Sequence, residues 1–141
     1  MSQSQHEEFF KKELVAELRR VVNLIRISPF PEKRVYYFSG AYGITGRTLR
    51  YSFSKDVLVA DILLQAAYNM LLEQLNRMKT GDQTIEYNPA VIEKICSGLS
   101  DLATCFESGE SVLVPLETII AAAFSQTGVG NYLKEKGEME I

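Results

Sequence analysis

The run from Lys55 to Lys79, preceded by Ser54, constrains this chain most. It holds no Gly or Pro, Ser54 is a good N-cap, and Asp56 suits the positive end of a helix dipole. The run predicts a helix about 37 Å long. Its apolar residues are not confined to one stripe. Val57, Val59, Ile62, Leu63, Leu64, Ala66, Ala67, Met70, Leu71 and Leu75 cover most of the circumference. Asp61, Gln65, Asn69, Glu73 and Arg77 form a slanting polar ridge, each step of four turning roughly 40° further. Leu58 and Leu72 fall in the same sector. A helix apolar nearly all round is buried in a core or spans a membrane. Asp61 would cost several kcal/mol at mid-bilayer, so the expectation is a core helix wrapped by others. Asp61–Gln65–Asn69 reads either as a partly solvated ridge or as a buried polar site.

The flanking segments supply the wrapping. Ser4 and Glu7 have capping-box spacing, and a helix follows to about Ile27 with Phe10, Leu14, Leu18, Val21 and Ile25 on one face. Ser28-Pro29-Phe30-Pro31 ends it. Thr80-Gly81-Asp82 reads as a turn. Asn88-Pro89 starts another helix, with Val91, Ile95, Leu99, Leu102 and Phe106 as its core face and Ser108-Gly109 as its stop. Pro115 falls in the first turn of a shorter helix, about 115 to 125. There Leu116, Ile119, Ile120, Ala123 and Phe124 face the core, with Ala121 and Ala122 behind. Gly128 and Gly130 stop it, Asn131 to Lys136 adds one turn, and the tail from Gly137 is loose.

Residues 34–53 change character. Val35-Tyr36-Tyr37-Phe38 favours a strand, Leu49, Tyr51 and Phe53 alternate with Arg50 and Ser52, and glycines stand at 40, 43 and 46. The expectation is a two-stranded β-hairpin with a long tip. The fold predicted is therefore mainly α: one domain over 1–141, a compact four- to five-helix bundle around a long central helix, carrying an inserted hairpin.

That insertion concentrates the candidate chemistry. Residues 30–55 hold seven of the fourteen aromatics, and five basic residues against Glu32 alone, in a chain of net charge −3. Aromatics interleaved with cations stack bases and bind phosphates. The bland counterpart is rings packing the hairpin while the cations meet water. Ala41 to Thr48 has phosphate-loop spacing with Arg47 in place of Lys, but a strand rather than a helix is expected after it. This singles out Arg34, Gly43, Gly46, Arg47, Thr48 and Arg50 as candidate phosphate ligands, and Tyr36, Tyr42 and Tyr51 as aromatic contacts.

Elsewhere the sequence offers less. Cys96 and Cys105 are nine residues apart on one helix, about 13.5 Å of rise, too far to bond to each other there. The single histidine, His6, leaves Cys/His zinc and catalytic pairs without parts. No metal, cofactor or catalytic set is expected. The N-terminus lacks the basic and apolar regions of a signal peptide, which points to the cytoplasm. The excess apolar surface of the central and short helices points to a non-enzymatic, self-associating interaction or scaffold protein. The alternative is a phosphate-, nucleotide- or nucleic-acid-binding module using the basic aromatic segment.

Overall fold

The computed structural model describes residues 2–80 and 88–139. Among them are six helices and no strand: α1 (Gln3–Ile27), α2 (Pro31–Tyr51), α3 (Lys55–Lys79), α4 (Pro89–Ser108), α5 (Leu113–Phe124) and α6 (Gly128–Glu135). No single helix among the described residues is long and apolar enough to cross a membrane.

The first five helices close a ring. α1 packs on α2 and α4, α2 on α3, α3 on α5, and α5 on α4. Their apolar faces meet inside it in one continuous core, from Leu14, Leu18 and Val21 through Phe38, Leu64 and Leu71 to Leu99, Leu102, Leu116 and Ile119. On the α1–α4 seam, Arg19 makes a two-pronged pair with Glu107 and Arg26 Nη2 meets Glu93 at 2.7 Å. Exposed pairs of this kind add about 0.2–1 kcal/mol each, so the seam rests mainly on its buried aliphatic face.

The expected bounds of α3 hold, and Ser54 Oγ accepts from the Val57 amide as its cap. Asn88 caps α4 through the Ala90 amide, and Gly109 ends it in the left-handed conformation, φ 79°. α1 begins earlier than the capping-box spacing implied. Ser2, not Ser4, is the cap, with the Gln5 side chain bonding back to the Ser2 amide. Of the expected turn at Thr80-Gly81-Asp82, only Thr80 lies within the described residues.

The hairpin expected at 34–53 is corrected: those residues are the body and end of α2 and the linker after it. Strand propensity and three glycines are local preferences of about 1 kcal/mol per residue or less. Packing on both flanks outweighs them. Phe38, Ala41, Thr45 and Thr48 fall at spacings of three and four, and all are buried between α1 and α3. The hydroxyls are satisfied, Thr45 Oγ1 sharing its one proton between Tyr42 O at 2.8 Å and Asp61 Oδ1 of α3 at 2.7 Å, and Thr48 Oγ1 donating to Ile44 O at 2.8 Å.

Two smaller expectations also change. Ala122 is buried, not set behind the core face. Gly128 and Gly130 do not end helical structure but sit in the first turn of α6, where Thr127 Oγ1 caps the Gly130 amide. A side chain at Gly130 would strike Phe124 O, 2.1 Å from where its Cβ would lie, so the turn between α5 and α6 requires glycine there.

Two glycines carry opposite predictions. A Cβ at buried Gly98 would stand 2.6 Å from Ile119 Cγ1 and 3.3 Å from the Pro115 carbonyl, so Gly98 sets how closely α4 and α5 approach. At Gly43, on the open side of α2, a Cβ meets nothing within 4 Å. Gly43→Ala is expected to raise stability by about 1 kcal/mol through helix propensity. Gly98→Ala is expected to lower it by about 1 kcal/mol or more, overpacking exceeding the propensity gain. Urea unfolding of the two variants checks both signs.

Candidate functional site

Because residues 34–51 are helical, their backbone amides serve the helix ladder, and no glycine loop is available to cradle a phosphate. The candidate residues are redistributed around α2. At 100° per residue, Tyr36, Gly43, Arg47 and Arg50 lie within one exposed stripe. Tyr36 is 71% exposed there. The others point elsewhere. Arg34 Nε donates to Ser28 O at 2.8 Å, tying the start of α2 to the end of α1. Gly46 faces Asp61 of α3, and Thr48 is buried. The Tyr42 ring lies 5.1 Å from that of Tyr68, and burial pushes its phenol pKa up. Tyr51 stacks on Phe10 of α1, centroids 5.1 Å apart and nearly parallel.

The ridge on α3 resolves differently from end to end. Asp61 is half-buried against α2, accepting from Thr45 Oγ1 at 2.7 Å and from Gln65 Nε2 at 2.9 Å. It bridges two helices as a structural bond. Asn69, two turns further on, is exposed. His6 is not a free first-turn residue: its Nε2 lies 2.8 Å from Tyr51 O, and its ring meets Phe10 edge-on. Among the described residues no three His, Cys, Asp or Glu side chains converge as a metal site would require.

Two concave places lie at the ends of the ring, which no local spacing could reveal. At one end Ile25, Val35, Phe38, Leu71, Val91 and Ile95 line a narrow apolar pocket of about 40 Å³, with Arg34, Gln74, Asn88 and Gln126 as its polar members. Gln74 Nε2 donates to Gln126 Oε1 at 2.8 Å, joining α3 to the end of α5. That volume admits a few waters rather than an organic ligand. At the other end the first three turns of α1, the first turn of α3, the last turns of α2 and α4 and the linker 52–54 line an open cleft of about 350 Å³, in which Phe53, Glu7 and Asp56 are exposed.

A third feature is convex. On the outer side of α3, Ile62 is 57% and Leu58 38% exposed, with half-exposed Val59, Leu63 and Ala66 beside them. Leu113, at the start of α5, is 59% exposed. The sequence marked α3 as apolar on too many sides. The structure shows which side stays outside. Comparison of the chain with protein-family models, with curated proteins and with solved structures gave no match.

The two thiols test the packing around α4. Cys96 is fully buried and burial pushes its pKa up to about 11; Cys105, half-buried, is also raised by burial. Native protein at neutral pH is expected to alkylate first at Cys105, and at Cys96 only on unfolding. Unfolded Cys96 ionises in the ordinary thiol range while the folded thiol stays protonated. Above pH ~8.5 the unfolded state therefore binds fewer protons, and stability should fall as pH rises toward 11. Mass spectrometry of iodoacetamide-treated protein and thermal melts across pH 8–11 check both.

Proposed function

We propose that the protein is an interaction module that pairs with a second copy of itself through the outer face of α3. The observation that supports this is the exposure of Leu58 and Ile62 on the outer side of the first half of α3, beside partly buried Val59, Leu63 and Ala66. A single exposed Leu is ordinary on a protein surface, but a contiguous apolar band on a folded helix marks an association surface. Covering what remains exposed of each side chain contributes ~1–2 kcal/mol. A two-fold pairing uses each residue twice. An antiparallel contact centred on Ile62 lays Leu58 of each copy beside Ala66 of the other.

The expected outcome is a dimer at micromolar concentration by size-exclusion chromatography with light scattering. Ile62→Lys should make it monomeric without loss of helix content by circular dichroism, and Asp101→Lys, on the exposed side of α4, should leave it dimeric. A strictly monomeric wild-type chain up to about 100 µM, a concentration that detects even modest affinity, would overturn the proposal.

A further inference from the structure

The cleft of about 350 Å³ falls in the size range of small-molecule sites. Its wall is aromatic, from Phe10, Phe53 and Phe106, and its polar members include the carboxylates of Glu7 and Asp56. Lys11 is the one cation lining it. The aromatic side is partly fixed in advance. Phe10 stacks on Tyr51 at 5.1 Å and meets the rings of His6 at 4.8 Å and Phe9 at 5.2 Å, while His6 Nε2 lies 2.8 Å from Tyr51 O; Phe53 and Phe106, without a ring contact among the described residues, are the rings that leave a face to a ligand. Neither Glu7 nor Asp56 has an ion-pair partner among the described residues. Glu7 accepts only from Gln3 Nε2, at 3.1 Å.

From this combination we infer that the cleft binds a small organic cation, an alkylammonium carrying an apolar body. Ring faces attract a cation through their quadrupole, most effectively where solvent is displaced. The carboxylates supply the opposite charge, and the aliphatic floor of Leu14 and Val57, both buried, takes the apolar part. Anions are disfavoured, since the lining carries two carboxylates against one ammonium. The site is formed within one copy of the chain and does not depend on pairing through α3.

Titration of ¹⁵N-labelled full-length protein with choline, with its neutral carbon isostere 3,3-dimethylbutan-1-ol, and with benzoate tests this directly. Choline should shift the amides of Phe10, 52–57 and 105–109. The isostere and benzoate should bind at least about tenfold more weakly, the ratio that one cation–π and charge contact supplies. The double variant Glu7→Gln, Asp56→Asn keeps the shape and removes the charge, and should weaken choline binding by a similar factor with its melting curve preserved. Absence of shifts at millimolar choline, equal binding of the neutral isostere, shifts mapping outside the cleft, or unchanged affinity in the double variant would each overturn the inference.

Discussion

The burial of α3 on two sides and along its inner face is the constraint from which the rest of the bundle follows. Its residues Val57, Ala60, Leu64, Ala67, Leu71 and Leu75 are all buried, so a helix of 25 residues needs cover along its length. α2 supplies it on one flank, through Thr45 against Asp61 and Tyr42 against Tyr68. α5 supplies it on the other, with Gln74 bonded to Gln126 just beyond α5. α1 and α4 then close the ring behind them. The side of α3 opposite these buried residues has no helix over it among the described residues. Leu58 and Ile62 stay outside.

How much of this was legible depended on whether local and tertiary signals agreed. α1, α3 and α4 carry apolar residues at helical spacing, and most of their expected core is buried, Leu14, Leu18, Val21 and Ile25 in α1 and Val91, Ile95, Leu99 and Leu102 in α4, whereas Phe10 and Phe106 are only partly buried and Ile62 of α3 is exposed. α2 was misread because its local preferences contradict its environment. Tyr36, Tyr37 and Phe38 favour strands, and the glycines suggest turns. Yet Phe38, Ala41, Thr45 and Thr48 already stood at helical spacing, a signal obscured because two of the four are threonines. Thr reads as polar in a pattern, but its hydroxyl is absorbed by the preceding turn and its methyl packs in the core.

The candidate site was less legible for a different reason. The phosphate-loop spacing assumed a loop, and once the segment is a helix the same residues scatter around its axis. Tyr36, Gly43, Arg47 and Arg50 share the open stripe, while Arg34, Gly46 and Thr48 face neighbours. The clefts draw on residues as far apart as Glu7 and Gly109, or Ile25 and Gln126. Such juxtapositions arise from ring closure and leave no mark in any window of sequence. The two proposed surfaces are correspondingly independent: one is the outer face of α3, the other one end of the ring.

The closed ring requires residues 31–51 to be a helix wedged between α1 and α3, since hairpin geometry there would open the ring and uncover α3. Backbone ¹³Cα chemical shifts of the labelled protein measure this residue by residue. Uninterrupted positive secondary shifts from Pro31 to Tyr51, including Gly40, Gly43 and Gly46, are predicted. Negative shifts over 34–39 and 48–53, separated by a coil-like stretch, would contradict it.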